Sequence, residues 1–186
     1  MSADPSDKPF IALSIAVLTI SDTRTFADDR SGNTLVERLE GAGHRLAARA
    51  IVPDDVEEIR VQVTAWIADP GIDVVITTGG TGFTGRDVTP EAIEPLFEKR
   101  MEGFSTIFHL ISFQKIGTST LQSRATAGVA NATYIFCLPG SPGACRDGWD
   151  GILAQQLDIR HKPCNFVEIL PRLDEHLKRG KLRAPA

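Results

Sequence analysis

The segment Val74–Ala92 reads VVITTGGTGFTGRDVTPEA and places a glycine turn, an acid and a helix start side by side. Gly79, Gly80, Thr81 and Gly82 form the turn. Its glycines can take φ > 0 and line up successive backbone N–H groups as a concavity for an anion. Asp87 lies between that turn and the helix start. A carboxylate beside an anion cradle repels an anion unless a cation lies between them, and the simplest such cation is a divalent metal carrying phosphate. The pattern points to a nucleotide or phosphate-ester site that works with Mg²⁺. No Lys-Ser/Thr follows the glycines and the spacing is not G-x-G-x-x-G, so GTPase and dinucleotide readings lose support. On residues alone, the glycines also suit a tight turn without a ligand, and Asp87 suits a solvated loop acid as well as a metal ligand.

Other candidates lie outside this segment. Asp54 begins Asp-Asp-Val-Glu, which resembles a capping box with Asp54 as N-cap and Glu57 three residues on. Asp22, Asp29 and Ser31 share one acidic, hydroxyl-rich loop. Ser123 and Arg124 fit a helix surface, and Arg124 also fits a terminal phosphate, since its fork donates two hydrogen bonds. Pro139, Gly140 and Ser141 open a turn before a helix, where Ser141 could cap the helix or donate to a ligand. His44, His109, His161 and His176 show no metal spacing. No Ser-His-Asp or Cys-His arrangement supports covalent catalysis.

Regular elements must position these loops. Apolar β-branched runs predict strands at Ile11–Ile20, Leu46–Val52, Asp73–Thr78 and Thr133–Leu138. Helical spacing predicts helices from Ser31 to Leu39, from Val56 to Ile67, over Glu91–Lys99 with Pro95 distorting it, over Phe104–Phe113, and over Ala144–Leu157. Gly117–Asn131 is read as containing a further helix. Thr89 suits an N-cap with Pro90 at the first helical position. Strands alternating with helices imply a parallel sheet with right-handed crossovers, whose ligands sit beyond the carboxyl ends of the strands. Four loops follow strands: Ser21–Ser31, Pro53–Asp55, Gly79–Asp87 and Pro139–Ala144. If all four strands are parallel, these loops share one edge and one site.

The bulk properties narrow the class. A chain of 186 residues is read as one domain (10–172), with a lead-in over 1–9 and a charged tail over 173–186 whose end, Lys178–Ala186, is expected to fray. The net charge of −4, the low aromatic content and the lack of a basic run argue against nucleic acid. No apolar run approaches about 18 residues, so no membrane span is expected. The start MSADPSDKPF does not read as a signal peptide. Cys137, Cys145 and Cys164, an odd set without framework spacing, argue for a reducing compartment and structural roles.

The signature TTGGTG…RDVTPEA resembles that of the MoaB/MogA family of molybdenum-cofactor biosynthesis proteins. SDTRTFADDRSG (Ser21–Gly32), IGTSTLQSRATAGVAN (Ile116–Asn131) and LPGSPGACRDGWDGILAQQLDIRHKPCNF (Leu138–Phe166) are similar to its B-type branch, so the resemblance runs from Ile15 to Pro171. It implies an α/β fold, a three-layer αβα sandwich with a mainly parallel central sheet, that binds molybdopterin. It also implies adenylylation of molybdopterin by ATP with Mg²⁺, in a cytoplasmic homo-oligomer, trimer or hexamer, which could meet other proteins of the pathway. By the same resemblance Asp87 and Asp54 are the functional acids, with Asp87 on Mg²⁺. Gly79–Gly82 with Pro139, Gly140 and Ser141 then line the nucleotide and phosphate pocket. Asp22, Ser31, Ser123 and Arg124 face the pterin. The RDVTPEA segment is degenerate in some B-type proteins and intact here, which favours an enzyme. The alternatives are a non-catalytic binder of molybdopterin or its precursor, and a nucleotide-binding enzyme of similar fold outside this pathway.

Overall fold

The computed structural model describes residues 8–176. Its strands are β1 (Ser14–Ile20), β2 (Arg45–Val52), β3 (Val74–Thr78), β4 (Lys99–Arg100), β5 (Thr126–Ala130) and β6 (Thr133–Leu138). They form one sheet in the order β2-β1-β3-β6-β5-β4. β2, β1, β3 and β6 are parallel, while β5 runs antiparallel to β6 and β4 antiparallel to β5. The four strands read from the sequence are the four parallel ones. Helices α1 (Arg30–Gly41), α2 (Val56–Ile67), α3 (Thr89–Ile93), α4 (Glu102–Ile116), α5 (Pro142–Gly148), α6 (Ala154–Gln156) and α7 (Phe166–Ile169) complete the chain. A π-helical turn, Trp149–Leu153, joins α5 to α6.

Strand side chains alternate between two cores, as a sheet covered on both faces requires. Ile15, Val17, Val74, Ile76, Tyr134, Phe136 and Leu138 pack with α1, α4 and α5. Ala16, Leu18, Val75, Ile135 and Cys137 pack on the opposite face with Ile59, Val63 and Trp66 of α2 and Ala92 and Ile93 of α3. This gives helix, sheet and helix layers, a three-layer α/β sandwich.

The structure corrects four local readings. The helix read over Glu91–Lys99 stops at Ile93, continues as a 3₁₀ turn over Glu94–Leu96 where Pro95 lies, and gives way to β4 at Lys99. Asp55, not Asp54, caps α2, its carboxylate accepting from Glu57 N (2.9 Å) and Glu58 N (3.1 Å). Thr89 is the first residue of α3 rather than its cap, and Val88 holds the cap position without a side-chain bond. The helix read within Gly117–Asn131 is a short 3₁₀ segment, Gly117–Gln122, followed by strand β5. The sequence of β5, TAGVA, has low strand propensity. Its conformation comes from pairing with β6 through an Asn131–Ala132 turn with φ of 46° and 62°, and from the close seat of Phe97 on Gly128, where an added Cβ would stand 2.4 Å from the ring. The predicted fraying of Lys178–Ala186 lies outside the described residues.

One buried polar cluster fixes the loop after β1 to the start of α1. Asp29 is fully buried and caps α1, accepting from Gly32 N at 2.8 Å. It also accepts from the Thr19 hydroxyl (2.7 Å) and from Arg49 (2.9 Å). Burial pushes the Asp29 carboxyl up, but the Thr19, Arg49 and Gly32 donors outweigh it and hold it below the usual carboxylate range. Asp29→Ala would leave Arg49, whose side chain is only 18% exposed, without its carboxylate and with Asn33 as its remaining acceptor, and should cost about 3 kcal/mol in urea unfolding. Because the folded pKa is depressed, this stabilisation is present above the unfolded value of about 3.9 and fades as pH falls through the lower folded value. A variant unfolding at the wild-type midpoint would refute this role.

Candidate active site

The loops after β1, β2, β3 and β6 meet at the carboxyl edge of the sheet around a cleft of about 630 Å³. Thr19, Ser31, Asp54, Gly79–Gly82, Asp87, Ser123 and Pro139–Ser141 line it. The convergence expected from parallel strands is what the structure shows. One wall was not foreseen: Phe108, Ser112 and Ile116 of α4, with Ser119, Thr120 and Gln122 beyond it. α4 carries apolar residues on both its buried and its exposed sides, so its sequence gives no signal for which of them border a ligand, and only packing revealed this wall.

The glycine turn is held by its carbonyls. Thr89 donates its hydroxyl to Gly79 O (2.8 Å) and its N–H to Gly80 O (2.9 Å). Arg124 donates its N–H to Thr81 O (2.8 Å) and its Nε to Gly82 O (2.8 Å). Four consecutive carbonyls are thus committed to protein donors. Among the described residues, the N–H groups of Gly80 and Thr81 have no acceptor. Gly79 and Gly80 have φ of 108° and 62°. A Cβ on Gly79 would stand 2.2 Å from Ile20 O, and one on Gly140 would stand 3.2 Å from the Gly79 Cα. The 79–80 and 139–140 backbones therefore touch in a way that only glycine permits. Backbone N–H groups left free in such a turn suit an anion.

Two carboxylates flank this turn. The Asp87 carboxylate lies against Gly82, whose ideal Cβ would sit 2.7 Å from Oδ2, and it accepts from Thr84 N (2.9 Å) and the Thr84 hydroxyl (2.6 Å). Burial pushes Asp87 up, but the Thr84 and Gly82 donors and the Arg124 charge overcome this and hold it below the usual range. Asp54, relieved of capping by Asp55, brings Oδ1 within 3.1 Å of an ideal Cβ on Gly80. Burial raises its pKa, and the negative charges of Asp22 and Asp87 add to the rise against the Asp22 N–H and Arg86. Asp54 therefore sits in an acidic, partly desolvated place that a cation would relieve.

Asp22 does not line the cleft. It locks its rim: Asp22 N donates to Asp54 Oδ2 and Asp54 N donates to Asp22 Oδ1, both at 3.1 Å. Arg86 then grips Asp22 through Nε (2.9 Å) and Nη2 (2.7 Å). Sequence reasoning gave Arg86 no role, although its place beside Asp87 was a usable signal. Ser31 lines the cleft with its hydroxyl donating to Asp29 (3.2 Å). Ser141 caps α5, accepting from Ala144 N (3.1 Å), and also lines the cleft. The Ser123 hydroxyl is buried without a partner.

Arg124 is placed differently from the expectation of a phosphate ligand. Its guanidinium donates to Gly82 O, to Asp87 O (2.8 Å) and to the Glu91 carboxylate. It borders a neighbouring depression with Glu91, Glu94 and His109 rather than the cleft. With its fork committed, Arg124 positions the signature loop. Burial accounts for two of the cysteines, pushing Cys137 up to about 12 and Cys145 to about 11, whereas Cys164 is exposed. His44 is likewise structural: it is buried and accepts from Leu13 N at 3.1 Å.

This arrangement, a glycine turn with free N–H groups and two flanking carboxylates at the carboxyl edge of a doubly covered sheet, defines a three-layer α/β protein with a ligand-sized cleft. Comparison with known proteins makes the class specific. A family model described as "Probable molybdopterin binding domain" matches residues 16–159. Molybdenum cofactor biosynthesis protein B of Escherichia coli (strain K12) is 53% identical over 157 residues, covering 84% of this chain and 92% of that protein. A crystal structure of a molybdenum cofactor biosynthesis protein B superposes with a TM-score of 0.76 at 37% identity, covering 95% of this chain and 100% of that one. The tungsten cofactor synthesizing protein MoaB from Pyrococcus furiosus gives 0.69 at 37% identity, over 77% and 92%. The chain belongs to the MoaB/MogA family of molybdopterin-binding-domain proteins.

Gly79→Ala tests the close backbone contact. Strain at positive φ and the clash with Ile20 O should cost about 1–3 kcal/mol in denaturant unfolding. A variant as stable as wild type would refute the contact.

Proposed function

We propose that this protein acts in molybdenum cofactor biosynthesis and transfers the adenylyl group of ATP to molybdopterin, releasing pyrophosphate. The observation that carries this reading is the pairing of free Gly80 and Thr81 N–H groups with two flanking carboxylates, Asp87 and Asp54, in one cleft. The relatives named for cofactor biosynthesis support the pathway. The intact RDVTPEA segment supports catalysis, because its Asp87 lines the cleft while Thr89 holds the Gly79 carbonyl and Glu91 holds Arg124, which braces the same turn.

In the proposed reaction an oxygen of the terminal phosphate of molybdopterin forms a bond to the α-phosphorus of ATP. The bond from that phosphorus to the bridging oxygen breaks, and the electron pair leaves with pyrophosphate. The nucleophile is already an anion at neutral pH, so no general base is needed. What the chain must supply is the approach and charge balance of two anions. The Gly80 and Thr81 N–H groups hold phosphate. Asp87, kept ionised by its Thr84 donors, and Asp54 fit the needs of Mg²⁺, which takes one or two carboxylates and completes its shell with water and phosphate oxygens. Mg²⁺ there would neutralise phosphate charge as it develops. Ser31 and Ser123 border the space left for the pterin, with the α4 side chains as its apolar wall.

A non-catalytic molybdopterin carrier is the second reading, and the observation that favours it is the commitment of Arg124 to the loop instead of the cleft. The proposal includes a homo-oligomer, trimer or hexamer. It is supported by the exposed apolar residues Ile107, Leu110, Phe113 and Ile116 on α4. Among the described residues no helix is long and apolar enough to cross a membrane.

Purified protein, molybdopterin, Mg²⁺ and α-labelled ATP should yield labelled adenylyl-molybdopterin. Asp87→Ala should cut that rate by at least about 10²-fold, the scale of losing a transition-state electrostatic contact, with a far smaller change in molybdopterin affinity. A near-normal rate in Asp87→Ala would remove its assigned role. Tight molybdopterin binding with no product from wild type would leave the carrier.

A further inference from the structure

Beside the cleft lies a second cavity of about 480 Å³, a groove between α1 and α5. Arg30, Asn33, Thr34 and Glu37 line it from α1, and Pro142, Gly143 and Arg146 line it from α5. The α1 residues follow the i, i+3, i+4, i+7 spacing of one helix face. Consecutive residues are divided between the two cavities: Arg30 borders the groove and Ser31 the cleft, while Pro142 and Gly143 border the groove and Ser141 and Ala144 the cleft. The first turns of α1 and α5 are therefore the wall that the cavities share.

The charges in this groove are unusual for the molecule. Most described arginines are paired: Arg38 with Asp150, Arg49 with Asp29, Arg86 with Asp22, Arg100 with Glu94 and Arg124 with Glu91. Among the described residues, the guanidinium groups of Arg30 and Arg146 have neither a hydrogen bond nor an ion pair. Glu37, the acid in the groove, lies seven residues along α1 from Arg30, about 10 Å of helix rise away. Two unpaired planar forks at the mouth of a groove beside a phosphate cleft fit an extended anion with several oxygens.

We propose that Arg30 and Arg146 form a polyphosphate subsite that receives the β- and γ-phosphates of the nucleoside triphosphate and holds the pyrophosphate as it leaves. The inference rests on the adenylyl-transfer reading, which requires a seat for a leaving group whose negative charge grows as the α–β bond breaks. The cleft itself carries Asp54 and Asp87 near the glycine turn, and its expected arginine, Arg124, is committed elsewhere. Arg24, which also borders the cleft, is paired with Asp28 at 3.4 Å, so the groove beside the first turns of α1 and α5 adds the unpaired positive charge.

Calorimetric titration of the full chain with inorganic pyrophosphate, with ATP and with AMP tests this, using wild type, Arg30→Gln, Arg146→Gln and the double variant. Molybdopterin is titrated in parallel, and circular dichroism checks the fold of each. Both side chains are exposed, so the variants should fold. Each single change should weaken pyrophosphate and ATP about tenfold, the size of one charge-assisted hydrogen bond, with AMP and molybdopterin affected much less. Arg→Lys at either position should restore part of the loss. Equal pyrophosphate affinity in wild type and double variant, or no pyrophosphate binding by wild type, would overturn the subsite while leaving adenylyl transfer to be judged by product formation. Weakened molybdopterin with unchanged pyrophosphate would also overturn it, giving the arginines to the pterin phosphate. Loss of pyrophosphate affinity in the variants, with no adenylylated product from wild type, would keep the subsite and remove the transfer.

Discussion

The site depends on how the carbonyls of residues 79–82 are satisfied. A backbone that turns its N–H groups toward a ligand must turn its carbonyls toward the protein, and buried carbonyls need donors. Thr89 and Arg124 provide all four. Thr89 belongs to α3 and Arg124 to the segment before β5, so elements distant in the chain meet to fix one turn whose Gly80 and Thr81 N–H groups stay free. Gly79 completes it by letting the turn press against the Ile20 carbonyl, a distance no side chain allows.

Around that turn, charge is distributed by burial and pairing. Asp29 and Asp87 are held ionised by donors built for them, whereas Asp54 is left in a crowded acidic corner with a raised pKa. These are different roles for the same functional group, and environment alone separates them. The arginines divide similarly. Arg49, Arg86 and Arg124 are spent on holding three loops in place, while Arg30 and Arg146 remain available at the cleft's margin. Rigid loops with a few unspent donors and acceptors are what a preorganised phosphate site requires.

Much of this was legible in the chain because it was local. Strands β1, β3 and β6 are buried on both faces and announce themselves as apolar runs, and the half-buried edge strand β2 follows the same pattern more weakly. The glycine signature lies within one short segment, and the parallel topology then carries all four loops to one edge. What was not legible was relational. Asp54 and Asp55 are adjacent and chemically identical, and one caps α2 while the other faces the cleft, a choice made by the direction in which the chain leaves β2. Strand β5 has a sequence poor in strand formers and exists because β6 and Phe97 accept it. Arg124 carries the right chemistry for phosphate, yet in the fold its fork is taken by the Glu91 carboxylate and by the Gly82 and Asp87 carbonyls.

The sequence by itself determined the alternation of strands and helices, the family, and the local turn chemistry of the glycine signature. These follow from patterns a few residues long, where side-chain type and backbone preference act directly. Only the tertiary structure decided which acids face the cleft, which arginines are already occupied, and that α4 supplies a wall. Those outcomes depend on contacts between residues far apart in the chain, and such contacts are fixed by packing and hydrogen-bond competition rather than by any local preference.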